Sequence, residues 1–155
     1  MDSVPAGPDR GVTPAPLPPV VVDTMVVSWL FDSRPNLLAD RYRELIGAAP
    51  VLLAFQTVAE LRYGALRADW GELRRRRLER SVARLTVVQP DDEVLTAYAQ
   101  LRADCRRVGH ALGDKVHDGD RWIGATALRL GYALVSHDGL FRNVPGLRLI
   151  TAAES

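Results

Sequence analysis

The stretch HDGDRWIGATALRLGYALVSHD, residues 117–138, constrains this chain more than any other. It reads as a helix over about 119–130 with an acid at its entrance, stopped by Gly131 and followed by a buried strand, ALVS, with His137 and Asp138 beyond its end. At about 100° per residue, the face of Asp120 is shared by Ile123, Gly124 and Ala127, which puts this acid on the apolar side and Arg121 and Arg129 on the other. A lone buried carboxylate costs several kcal/mol unless cations or hydrogen bonds compensate it, and a bound metal is one such compensation. Asp118 reads as the N-cap of this helix rather than as a further site acid.

The remainder of the chain alternates short β-branched runs with helical spacing. VVV from Val20 is a strand closed by Asp23, and Thr24 with MVVSWLF continues it as a short apolar helix or as more strand. A helix over Asn36 to Ala48 carries Leu37, Tyr42, Leu45 and Ile46 on its core side, and VLLAF after Pro50 is a second buried strand. The helix that follows has a stripe of Val58, Leu61, Ala65 and Leu66, with Glu60 above Gly64, whose missing side chain admits a close neighbour. An Arg-rich helix, TVV near residue 87 as a short strand or connector, a helix capped by Asp91 and ended near Gly109, and a last strand LRLI complete the set. Alternation of this kind predicts parallel βαβ units in a three-layer α/β/α sandwich. Residues 1–19, with Pro5, Pro8, Pro14, Pro16, Pro18 and Pro19, read as a disordered Pro-rich arm before a domain over 20–152.

Charge and cysteine content narrow the classes. At 155 residues one domain can bury enough surface to fold unaided. The formal charge of +1 hides a basic run, Arg62, Arg67, Arg74, Arg75, Arg76, Arg77, Arg80 and Arg84, which suits a polyanion partner and equally a solvated face laced with ion pairs. Arg75 and Arg76 in this run, and Lys115 in the loop before Asp118, are the candidate contacts to such a polyanion. Cys105 is the sole cysteine, on a stripe with Val94, Tyr98, Leu101 and Val108, so a core thiol in a reducing compartment is expected. His110, His117 and His137 read as surface histidines, and Trp122 as a packing residue. No apolar run reaches the ~18 residues of a membrane span, and a cytoplasmic location is expected.

Ligands of an open parallel sheet bind beyond the carboxyl ends of its strands. Asp23 and Asp138 fall there, Glu60 lies on a helix leaving another strand, and Asp120 opens a helix that feeds the sheet. Two like charges ~4 Å apart repel by roughly 4 kcal/mol at an effective dielectric near 20, so such acids need cations or shared protons. Oxygen donors without paired histidines or cysteines suit Mg²⁺ or Mn²⁺ rather than Zn²⁺.

Four motifs in order, VVVDT, VAELRYGA, DRWIGATAL and LVSHDGLF, make the chain resemble the PIN-domain family from about Val20 to Thr151, and within it the VapC-like ribonuclease toxins. The resemblance implies that Asp23, Glu60, Asp120 and Asp138 are catalytic and metal-holding acids, with Thr24 and Ser136 as supporting hydroxyls. Met25 departs from the pattern, since many members carry a polar residue there. What the resemblance implies further is a Mg²⁺- or Mn²⁺-dependent endoribonuclease, the toxin of a type II toxin–antitoxin pair, that hydrolyses RNA phosphodiesters with metal-activated water. A cognate antitoxin, an RNA substrate and a homodimer are the implied partners. Two other readings compete. One is a catalytically silent PIN-like module that binds RNA or protein. The other is a phosphoaspartate protein, against which Met25 stands where a phosphatase of the haloacid dehalogenase type needs its second acid.

Overall fold

A computed structural model describes residues 15–155. The first fourteen residues of the expected Pro-rich arm lie outside the described residues, and residues 15–19 form neither helix nor strand. From there the chain runs β1 (Val20–Val22), α1 (Thr24–Phe31), α2 (Leu37–Ile46), β2 (Val51–Ala54), α3 (Phe55–Arg67), α4 (Glu72–Ala83), β3 (Thr86–Val88), α5 (Asp92–Arg107), α6 (Asp118–Leu130), β4 (Leu134–Val135) and β5 (Leu149–Ile150). The strands form one all-parallel sheet in the order β3-β2-β1-β4-β5.

Both faces of this sheet are covered, as the continuous β-branched runs require. The pleat divides β1: Val20 and Val22 join Val26, Val27, Tyr42, Val58, Leu61 and Leu78 on the α1–α4 side, while Val21 joins Leu101, Cys105, Leu112, Ile123 and Ala127 on the α5–α6 side. Each aliphatic side chain fully withdrawn from water adds roughly 1.5–3 kcal/mol, so the two cores together fix the three-layer α/β/α architecture expected from the alternation. Strand order reverses between β1 and β4. Their register, Val22 opposite Val135, sets Asp23 beside Ser136, with the Asp23 amide donating to the Val135 carbonyl at 2.9 Å.

Several helix ends follow their sequence signals. The Asn36 carboxamide accepts from the Leu38 and Ala39 amides, and the Asp91 carboxylate from Val94. Gly131 closes α6 at φ 71°, in the left-handed region that glycine enters without penalty. Thr24 starts α1, which resolves the helix-or-strand ambiguity at this point, and the TVV segment is the strand β3.

Some core assignments fail, and for a common reason. Leu37 (89% exposed), Leu45, Leu66 (63%) and Val108 all face outward, although each sits on its helix's apolar stripe. Angular position on a helix does not fix whether another element covers that position, and no element covers these side chains. Gly64 has no close neighbour, because nothing lies within 4 Å of where its Cβ would stand. The opposite error concerns Arg121, assigned above to the polar side of α6 but 1% exposed, since Tyr98 of α5 and the 112–114 loop cover that side as well. Arg129, on the same side, is half-buried and pairs with Glu93 and Asp91 at the start of α5.

Candidate active site

The carboxyl ends of the strands bring the sequence-predicted acids to one rim. Asp23, the residue after β1, is only 7% exposed. Its Oδ1 accepts from the Thr24 amide at 2.7 Å and its Oδ2 from the Ser136 hydroxyl at 2.7 Å, so β4 orients the acid of β1. The same Ser136 oxygen accepts the Asp138 amide at 3.1 Å, and Asp138 Oδ1 accepts the Leu140 amide at 2.9 Å, which caps the turn Gly139–Phe141. Ser136 thus aligns two site acids through one fully buried hydroxyl.

Glu60 reaches the rim from the second turn of α3. One of its oxygens accepts from the Thr24 hydroxyl and the other from Gln56 Nε2 at 3.4 Å. Thr57, fully buried one turn before Glu60, stands 3.2 Å from the Thr24 hydroxyl oxygen. Because Thr24 has a single hydroxyl proton, committed to Glu60, Thr57 is the donor in that contact. The Thr24 and Ser136 hydroxyls thus each donate to one of these acids. Gln56 and Thr57 were not singled out from sequence, and the only signal for Gln56 was its spacing of one helical turn from Glu60.

The entrance of α6 closes the site. Asp120 lies in its first turn, half-buried, with His117 Nδ1 3.4 Å from its Oδ2. Gly119 lets this turn approach α3, since a Cβ there would stand 2.9 Å from Gln56 Nε2 and 3.2 Å from Glu60 Oε1. Asp118 does not cap α6. It is the first helical residue, and its carboxylate accepts from the Tyr98 hydroxyl and lies 3.6 Å from Arg121.

The histidines also depart from expectation. His137 is half-buried against Trp29 and Tyr42, with the Tyr42 hydroxyl 2.6 Å from its Nδ1. His110 Nδ1 accepts the Leu112 amide, which leaves Nε2–H to donate to the Arg142 carbonyl at 2.7 Å. Both rings found partners that loop position alone did not suggest. Trp122 packs as expected, stacked on Tyr98 with centroids 3.9 Å apart and edge-on to Phe55. Cys105 is a buried thiol whose pKa burial pushes up.

The rim is electrostatically strained. Burial lifts the Asp23 carboxyl from its ordinary 3.8 to about 6, against the lowering by Ser136 and Thr24, with Asp120 and Glu60 adding to the rise. Asp120 is raised too, first by burial, then by the charges of Asp138 and Glu60. Among the described residues, no lysine or arginine is ion-paired with Asp23, Glu60, Asp120 or Asp138. Nor, among the described residues, do three or more acidic, histidine or cysteine side chains stand close enough together to hold a metal ion as they are placed; the acids line a rim and would have to draw in around an ion. Four hard oxygen donors without a neutralising cation match what a divalent ion of the Mg²⁺ class takes, and the donor set fits such an ion.

Arg75 and Arg76 lie elsewhere, on a cavity of about 630 Å³ between α3 and α4 whose floor includes Ala65, Leu66 and Leu78. The expected ion-pair lacing is present in places, since Arg76 pairs with Glu72 at 2.5 Å and Arg62 with Glu79 at 2.9 Å, while Arg75 has no ion pair among the described residues. Lys115 is exposed in the short turn Lys115–His117 that leads into α6.

Fold and site together define a parallel α/β domain with an acidic rim at the reversal of its strand order. The sequence profile of the PIN domain matches residues 20–147, and the chain belongs to the PIN-domain family. It is similar to a protein of Haemophilus influenzae strain R2866 named Ribonuclease VapC1, 27% identical over 118 residues that span 76% of this chain and 85% of the relative. Among solved structures it resembles VapBC-1 from nontypeable Haemophilus influenzae, with a TM-score of 0.67 and 26% identity over 85% of this chain and 96% of the other. It shares its fold with VapBC2 of Rickettsia felis, solved bound to a promoter DNA fragment, at a TM-score of 0.70 and 20% identity over 85% of this chain and 97% of the other.

Proposed function

We propose that this chain is a Mg²⁺- or Mn²⁺-dependent endoribonuclease and the toxin of a type II toxin–antitoxin pair. The observation that carries this reading is the rim itself: four acids from four segments, coupled in charge and unpaired with any arginine or lysine, in a PIN-domain chain similar to proteins named as VapC ribonucleases. Asp23, Glu60 and Asp120 would hold the ion, with Asp138 completing the set. A divalent ion bound there supplies a more acidic water and neutralises charge developing on the phosphodiester, so no general-base histidine is needed.

The chain's own residues supply orientation. Ser136 and the Thr24 amide hold the two oxygens of Asp23 in fixed directions, and the Thr24 hydroxyl holds Glu60. His117 sits beside Asp120, with its Nδ1 3.4 Å from the Asp120 Oδ2. Lys115 on the approach to α6, and Arg75 and Arg76 on α4, are the proposed contacts to RNA phosphate.

An antitoxin is the proposed protein partner, in keeping with the neighbours solved as VapBC complexes. A homodimer is proposed on the family resemblance alone. We take residues 20–152 as the functional domain, 1–19 as an appended arm, and the cytoplasm as the site of action. No helix among the described residues is long and apolar enough to cross a membrane.

The test is cleavage of total cellular RNA by antitoxin-free protein in Mg²⁺, Mn²⁺ or EDTA, with the ends mapped by sequencing. Discrete cuts that need the metal and vanish in Asp23→Asn are expected. Intact RNA with folded protein in both metals would favour the silent binding module instead.

A further inference from the structure

Arg121 is the largest fully buried side chain in the domain, and the nucleases' four acids make no use of it. Among the described residues its one carboxylate partner, Asp118, lies 3.6 Å away and is 62% exposed, so no buried anion there neutralises the guanidinium. Uncharged acceptors satisfy it instead. Nη1 donates to the carbonyls of Leu112 (3.0 Å) and Asp114, while Nε and Nη2 donate to the Tyr98 hydroxyl at 3.3 and 3.1 Å. The Tyr98 proton goes to Asp118, so both phenol lone pairs and its one proton are committed. An apolar side chain of similar volume would fill this space at lower cost, and what the arginine adds is a fixed direction for three segments at once.

Those segments are α5, the 112–114 loop and the first turn of α6. The loop is seated from other sides as well: a Cβ on Gly113 would stand 2.9 Å from Arg106 Cγ and 3.0 Å from its amide nitrogen, and His110 bridges to Arg142. Helix α6 begins after His117 with no side-chain cap bond, as α3 and α4 also do, whereas α1, α2 and α5 each begin with a side chain accepting a backbone amide. This uncapped turn is the one that carries Asp120 and presses Gly119 against Glu60.

We infer that Arg121, together with Tyr98 and Asp118, is a positioning device that ties the first turn of α6 to α5 and the 112–114 loop, so that Asp120 faces the other rim acids. The inference rests on the divalent-ion reading of that rim. Arg121 touches no site acid directly and acts through the backbone between residues 118 and 121. Loss of the device leaves a folded domain whose Asp120 is poorly aimed.

The experiment is titration of Mn²⁺ into the full chain by calorimetry at one pH, beside unfolding midpoints in EDTA. The variants are Tyr98→Phe, Arg121→Lys, Asp120→Asn and a control on the other face of the sheet, Val82→Ala. Tyr98→Phe removes one oxygen and keeps the stacked ring, so it remains informative should Arg121→Lys fail to fold. The expected result is Mn²⁺ affinity lower by about 10–100-fold in Tyr98→Phe, as for lost outer-shell partners of metal ligands, with Arg121→Lys no tighter and Val82→Ala within about twofold of the parent. Tyr98→Phe that loses thermal stability yet binds Mn²⁺ as the parent does would reduce the network to a structural one and overturn the inference. Equal weakening by Val82→Ala would overturn it too, as would parental affinity in Asp120→Asn. A parent chain that binds no Mn²⁺ would instead remove the divalent reading, and the inference with it.

Discussion

The acidic rim and the arginine-rich face of α4 are the two concentrations of charge in this domain, and they are built in opposite ways. The rim gathers residues far apart in sequence, withdraws Asp23 from water and leaves its acids to repel one another. The α4 face is nearly contiguous in sequence, stands in solvent and neutralises itself in places, as in Arg76–Glu72 and Arg62–Glu79. Exposed pairs of that kind contribute about 0–1 kcal/mol, whereas an unpaired buried carboxylate costs several. A protein maintains the second arrangement only where something else uses it, so charge density alone is a poor guide to function and uncompensated burial a better one.

Substitutions should separate the two regions sharply. Asp23→Asn or Asp120→Asn should lower RNA cleavage by at least ~10²-fold, the scale of a lost electrostatic stabiliser, measured as initial rates on a mapped substrate. Arg75→Ala should leave the cleavage step nearly intact, and comparable losses in both regions would erase the distinction.

Stability should move the other way. The pKa of Asp23 is higher folded, about 6, than the ordinary 3.8, so the folded chain binds the proton more tightly. In EDTA, stability is therefore greatest below pH 4 as far as this group is concerned and falls as pH rises to about 6, by on the order of 3 kcal/mol. Asp120, also raised, acts in the same direction. Asp23→Asn should flatten that slope and be more stable than the parent at pH 7, as denaturant unfolding across pH would record. A parent curve that rises from pH 4 to 7 and flattens in Asp23→Asn would break the account of the rim as strained.

Two smaller effects sharpen the contrast. Gly119→Ala brings a methyl within 2.9 Å of Gln56 Nε2. Gln56 can swing aside, so a cost of about 1–2 kcal/mol in stability is expected, with weaker cleavage as α6 shifts from Glu60. On α4, changing Arg75 and Arg76 to Ala should alter stability by no more than about 0.5 kcal/mol. If these side chains meet RNA phosphate, each loss should flatten the salt dependence of binding by about one unit, read from a filter-binding titration.

Much of this was legible from sequence because the features that carry it are local. The apolar runs at Val20 and Leu134, the Asp91 cap and the Gly131 stop identified the strands and helices, and parallel topology then brought Asp23 and Asp138 to the same rim. What escaped depends on neighbours remote in sequence. Helical spacing placed Asp120 correctly beside Ile123 and Ala127, yet misjudged Arg121, because only the fold brings Tyr98 and the 112–114 loop over it. Leu37 and Leu66 erred in reverse, lying on apolar stripes yet left exposed. His137 and Gln56 show the same limit, since their partners Tyr42 and Gly119 arrive from other layers.

The central claim is that the rim's unpaired acids are arranged for a divalent cation, and the unfolding midpoint at pH 7 with and without Mn²⁺ tests it most directly. At a free concentration about a hundred times the dissociation constant, binding adds roughly 2.7 kcal/mol, which for a domain of this size raises the midpoint by about 5–10 °C. The account predicts that rise in the parent chain and its loss in Asp23→Asn. An identical midpoint with and without Mn²⁺ in the parent, at any concentration up to saturation of a control PIN-domain nuclease, would contradict it.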